Sequence, residues 1–157
     1  MFNRLLSNTL ATAIFVMATI LYTPAIAQEQ ITISPLFREP GVNSIYEIKF
    51  TPTKAIPADA QFKVIFPEGF DLTKVKIAGS STINGGFKTS VKDSVVLIER
   101  SGLGNIVAAG ENVDLQFTTV KNPVTDKNYT ITVEIQEKDG RLISKKLNTV
   151  NIRQKAE

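Results

Sequence analysis

"AIPADAQFKVIFPEGFDL", residues 55–72, sets an alternating strand between two prolines and follows it with a glycine turn. Phe62, Val64 and Phe66 fall on one side of residues 61–66 and Gln61 and Lys63 on the other, the period of a half-buried strand. Pro57 and Pro67 lack the amide proton that a ladder needs, so they mark where pairing starts and stops. Glu68-Gly69 then swings the chain over the end of a sheet, where Phe70 and Leu72 are placed to plug it. A one-residue slip would turn every apolar side chain outward, and the punctuation guards against it.

The same period continues in both directions. "SIYEIKFT" (44–51) sets Tyr46, Ile48 and Phe50 against Glu47 and Lys49. "NVDLQFTTV" (112–120) sets Val113, Leu115 and Phe117 against Asp114 and Gln116, and "YTITVEIQ" (129–136) sets Tyr129, Ile131, Val133 and Ile135 against Thr130, Thr132 and Glu134. "VKIAG", "GFKTSV", "SVVLIE" and "LISKKLNTVNI" are fainter strands of the same kind. Between them lies turn chemistry: "INGG" (83–86), "KDS" (92–94), "AAGE" (108–111), "KNPVTDKN" (121–128) and "KDGR" (138–141), the last read as a two-residue Asp139-Gly140 hairpin. Helical spacing never persists beyond about one turn. The expectation is an all-β, immunoglobulin-like antiparallel sandwich of about 7–9 strands.

The chain opens with "MFNRLLSNTLATAIFVMATILYTPAIA": Arg4 in a polar head, an apolar run from Leu10 to Leu21, and Ala25-Ile26-Ala27 before Gln28. That is the layout of a secretory signal peptide over residues 1–27, leaving one sandwich domain over 28–157. The apolar run is shorter than the roughly 20 residues of a membrane-spanning helix, though an uncleaved N-terminal anchor is the competing reading. No second arginine stands beside Arg4, so the general secretion route fits. Export to the cell surface, the extracellular space or the periplasm follows, with no membrane span after cleavage.

Without the leader, 17 Lys and Arg (the chain's 18 less Arg4) face 15 Asp and Glu, a net charge of +2. The charges are interspersed, and nucleic-acid binding, which needs clustered cations, is excluded. There is no cysteine, so disulfides, a lipidated N-terminal Cys, iron–sulfur ligation and a thiol nucleophile all fall away. About 130 residues bury close to two-thirds of their unfolded surface, and burial with hydrogen bonding must hold the fold. There is also no histidine, which removes Ser-His-Asp and Cys-His arrangements and nearly all zinc and copper sites. No Ser-x-x-Lys spacing occurs, and "TPTK" (51–54) is better explained as a turn.

Glu47, Asp114 and Glu134 are the carboxylates to weigh as a glycosidase pair, but outward positions flanked by Lys and Gln read as solvated sheet. Calcium is the one metal to weigh, on loop oxygens of Glu111, Asp114, Asp126, Asn128 or Asp139. No D-x-D-x-D-G run is present, and Asp and Asn in turns ordinarily bond their own backbone. Sugar binding usually needs flat aromatic platforms. There is no Trp, Tyr46 and Tyr129 sit on core faces, and Phe37 and Phe87 read as core or end plugs. "QITISPLF" (30–37) offers Ile31 and Ile33 either as the first strand of its own sandwich or as a strand donated to a neighbour's edge. Lys145 and Lys146 are the kind of edge lysines that oppose such pairing.

The order "IYEIKFTPTKAIPADAQFKVIFPEGFDL", "KVKIAGSSTINGG", "AAGENVDLQFTTVKNPVTDKNYTITVEIQEKDG" resembles the immunoglobulin-like (E-set-like) modules of bacterial and archaeal surface proteins, over roughly residues 40–140. The resemblance implies a non-catalytic structural or protein-interaction module of the cell surface or extracellular matrix. Its partners would be other surface proteins or copies of itself, without a cofactor. A glycan- or envelope-ligand-binding sandwich is the alternative.

Overall fold

Alternation in the quoted runs becomes nine strands, and no helix, over residues 30–154, the part of the chain that the computed structural model describes. The predicted leader, residues 1–27, lies outside the described residues. The strands are β1 (Gln30–Pro35), β2 (Asn43–Thr51), β3 (Gln61–Ile65), β4 (Ile77–Gly79), β5 (Phe87–Lys92), β6 (Val95–Arg100), β7 (Val113–Lys121), β8 (Lys127–Gln136) and β9 (Leu142–Ile152). They form two sheets, ordered β1-β2-β7-β4 and β5-β6-β3-β8-β9, with every pairing antiparallel.

Each strand turns its apolar period toward the other sheet. Tyr46, Ile48 and Phe50 of β2 and Leu115 and Phe117 of β7 face Phe62 and Val64 of β3 and Ile131 and Val133 of β8, all buried. Fully burying one such side chain contributes about 1.5–3 kcal/mol, which is how a sandwich without disulfides holds. On β7 the strict period breaks. Ser44 pairs with Val120 and Tyr46 with Phe117, so β7 carries one extra residue there, a bulge that lets both Phe117 and Val120 point inward.

The antiparallel register puts the β1–β2, β3–β4, β5–β6 and β7–β8 loops at one end of the sandwich. The "FPEGFDL" segment closes that end as the sequence predicts. Phe70 packs against Phe66 at 5.0 Å, Tyr129 at 5.2 Å and Tyr46 at 6.2 Å between ring centres, mostly edge-on, and Leu72 is buried.

"KDS" is a turn as read, but "KDGR" is not the two-residue hairpin that it suggests. Glu137 N–H donates to the Arg141 carbonyl and Gly140 N–H to the Glu137 carbonyl, both at 2.9 Å, so the β8–β9 loop has three residues, not two. Gly140, at φ 87°, supplies the left-handed step that follows a type I turn in such a loop. The two-residue loop is instead Asp93-Ser94, between the paired Lys92 and Val95, with Asp93 at φ 52°.

Candidate functional site

At the β1–β2 end the fold leaves several large apolar side chains in water on a fixed frame. Asn122 follows β7 two positions after the inward Val120 and keeps its inward direction, so a polar side chain enters the core rim. Its Oδ1 accepts the Tyr46 hydroxyl at 2.7 Å, and its Nδ2 donates to the carbonyls of Phe37 at 2.9 Å and Glu39 at 3.0 Å. Its backbone N–H reaches the Val42 carbonyl at 2.9 Å, and Phe37 N–H reaches Ser44 Oγ at 2.9 Å. Burial pushes the Tyr46 phenol up, so it stays a protonated donor.

On this frame Leu36, Phe37, Val42 and Val124 are 65%, 49%, 39% and 81% exposed. The expectation that Phe37 is core or an end plug fails because Phe70 occupies the plug. Phe87 fares as expected, packed partly buried against the core. Asn122 is the residue that sequence reading misses, since "KNP" passes for turn chemistry. Its parity with Val120 is the signal that was available.

On the outer face of the first sheet, toward the opposite end of the sandwich, a shallow groove of about 440 Å³ is lined by Thr32, Lys49, Thr51, Thr82 and Asn112 among others. Glu47 sits between Lys49 Nζ at 2.9 Å and Gln116 Nε2 at 3.1 Å. Asp114 is not a solvated carboxylate. It accepts from Ser81 N at 2.9 Å, Ser81 Oγ at 2.8 Å, Thr82 N at 3.1 Å and Thr82 Oγ1 at 2.8 Å, while Ser80 Oγ bonds its carbonyl at 2.6 Å. Burial alone would raise its pKa, but the donors of Ser81, Thr82 and Ser80 outweigh it and hold the carboxyl at about 2. Asp114 therefore ties the β4–β5 loop to β7.

The other candidate calcium ligands are likewise taken up by groups of the chain itself. Glu111 Oε2 accepts from Ala108 N at 3.1 Å, Asp126 from Gln154 N at 3.2 Å and Asp139 from Arg141 N at 3.0 Å, while Asn128 pairs with Asn151 at 2.7 Å. Among the described residues no three His, Cys, Asp or Glu side chains are grouped so as to hold a metal ion. Glu134, on the outer face of the second sheet, is buried between Lys145 at 2.9 Å and Lys63 at 3.4 Å, not solvated as its outward position suggests. The Lys145 hydrogen bond lowers its pKa against the opposing effect of burial. Ile31 and Ile33 are buried in the chain's own core, with β1 paired along β2.

No protein-family model matches the sequence, and no curated protein matches it. Solved structures do match in shape. BslA, a bacterial hydrophobin, aligns at a TM-score of 0.50 and 11% identity over 82% of this chain and 97% of that one. Domains D2 and D3 of the major pilin SpaD from Corynebacterium diphtheriae align at 0.50 and 14% identity, over 78% of this chain and 50% of that one. A non-cellulosomal cohesin from the archaeon Archaeoglobus fulgidus aligns at 0.49 and 14% identity, over 80% and 92%. The likeness is one of fold.

Proposed function

We propose that this chain is an exported, non-catalytic recognition module that works in a structural or protein-binding role at the cell surface, in the extracellular matrix or in the periplasm. Residues 1–27 are the leader, removed before Gln28, and residues 28–157 form one immunoglobulin-like domain without a cofactor or a membrane span. Its partners are other surface or extracellular proteins, or copies of itself. The observation that carries the reading is the apolar end: Leu36, Phe37, Val42 and Val124 exposed on a backbone pinned by Asn122. Leaving such side chains in water while fixing the loop beneath them keeps a contact surface preorganised, so binding orders little. The fold shared with a pilin and a hydrophobin is in keeping with a structural role.

The test is light scattering with negative-stain microscopy on the mature chain, beside a Leu36→Ser/Phe37→Ser/Val124→Ser variant. Ordered assemblies that the variant loses are the expected result. A strict monomer that binds a glycan array moves the reading to the alternative, a glycan- or envelope-ligand-binding module. The groove on the first sheet bears on that alternative: Thr32, Thr51, Thr82 and Asn112 line it, with the three hydroxyls already donating to Lys49, Asn112 and Asp114 and the Asn112 amide left to meet a ligand. Against it, Phe37 is the one aromatic among the exposed large apolar side chains of the described residues, and no flat strip forms.

A further inference from the structure

The free side of β9 is the longest open ladder among the described residues. β9 runs for 11 residues without Pro or Gly, pairs with β8 on one side, and has no hydrogen-bonded strand on the other, where β1 of the facing sheet approaches it and Arg153 N–H, just past its end, donates to the Arg38 carbonyl at 2.9 Å. The remaining edges are shorter: six residues in β1, which ends at Pro35, three in β4 and six in β5. A row of unpaired N–H and C=O groups is a template for another extended chain.

The side chains along this edge define what chain it takes. On the outer face Lys145 is answered by Glu134 at 2.9 Å. Lys146 points to the core side, opposite Val133, yet is exposed, and no described acid lies within ion-pair distance of it. Two residues on, Asn148 sits opposite Ile131, with its Nδ2 shut from water and without an acceptor among the described residues. Leu147 lies between them, at the strand's midpoint, on the outer face and 61% exposed. The centre of the edge thus presents one unanswered cation and one aliphatic side chain in water, with an unanswered amide donor enclosed beside them.

We propose that the β9 edge docks, by strand addition, an extended segment of a partner protein that places an acidic side chain opposite Lys146. A carboxylate there answers the cation. Turning the Asn148 amide toward the incoming chain gains an acceptor and breaks no existing bond, and an apolar side chain beside it covers Leu147. A second β9 is a poor occupant, because it brings another Lys145-Lys146 pair to the same edge and like charges across strands repel. Lys146 is then a selector: it rejects self-pairing and favours an acidic strand. The inference goes beyond the function proposed above and does not depend on it, since the apolar end lies elsewhere and is tested by assembly state.

The experiment titrates the 15N-labelled mature chain with two blocked nine-residue peptides of alternating Val and Thr, one with a central Glu and one with a central Lys. Amide shifts confined to residues 142–152 are expected, with the Glu peptide binding about five- to tenfold more tightly, the gap between an opposite-charge and a like-charge cross-strand pair. Lys146→Glu reverses the preference and Lys146→Gln removes it. Lys146 is exposed, so neither change deletes a core contact, and an unaltered spectrum away from β9 verifies the fold. Equal binding of the two peptides, shifts centred outside β9, or no shift at millimolar peptide overturns the proposal.

Discussion

Asn122 shows how one polar side chain can set the shape of an end. It satisfies the Tyr46 hydroxyl and two loop carbonyls at once, and buried groups of that kind are costly to leave unpaired. Asn122→Ala should lower stability by about 2–4 kcal/mol in urea unfolding, whereas Tyr46→Phe, which removes one bond, should cost only about 1 kcal/mol. Equal losses would mean that the network is not centred on Asn122. Asp114 makes a pH prediction of the same grain. Its folded pKa of about 2 lies below the ordinary 3.8, so the ionised form favours the fold. That contribution is complete above about pH 4 and is lost as pH falls through 2. Wild type should lose more stability between pH 4 and pH 2 than Asp114→Asn does, and parallel curves would refute the assignment. Both residues were visible in the sequence without their roles being legible. Asp114 alternates with apolar neighbours as any solvated strand residue would, and only the fold brings Ser80, Ser81 and Thr82 against it across the sheet.

At the scale of elements, the sequence is far more legible. Phe62 and Val64 in β3, or Ile131 and Val133 in β8, recur every second position, and that period is imposed directly by the pleat. What escapes is what period two cannot encode. The extra residue between Phe117 and Val120 breaks the rule without a Gly or Pro to announce it. Glu134 looks solvated because its burial comes from Lys63 and Lys145, long side chains on two other strands. Turn length escapes for a related reason. Asp-Gly suits two-residue and three-residue loops alike, and only the Glu137–Arg141 pairing decides between them. The real two-residue loop holds Asp93 at φ 52°, where an L side chain crowds its own carbonyl. Asp93→Gly should therefore be neutral to stabilising, by up to about 1 kcal/mol, while the β-branched Asp93→Val should destabilise by about 1–2 kcal/mol. Thermal midpoints of the two variants on either side of wild type are the expected result. A destabilised glycine variant would show that the Asp93 side chain makes a contribution larger than its strain.

Taken whole, the molecule is a pairing of distant segments. Phe50 of β2 lies beside Val113 of β7, and Gln61 of β3 beside Gln136 of β8, so the central ladders of both sheets close long loops. Loop closure must precede the burial that rewards it, and folds of this kind assemble in milliseconds to seconds. No disulfide is available to shorten the search. The β1–β2, β5–β6 and β8–β9 hairpins are local, but Ile31 and Ile33 of β1 need the second sheet before they are covered. Stopped-flow refolding of residues 28–157 should thus show one phase of about 10 milliseconds or slower, with fluorescence of the buried Tyr46 and Tyr129 and circular dichroism of the sheets changing together. Microsecond folding, or a hairpin signal that precedes the tyrosine signal, would mean that the first sheet forms without the second. The apolar end, whose frame runs from Tyr46 of β2 through Asn122 to the β1–β2 loop, would then be assembled before the core beneath it.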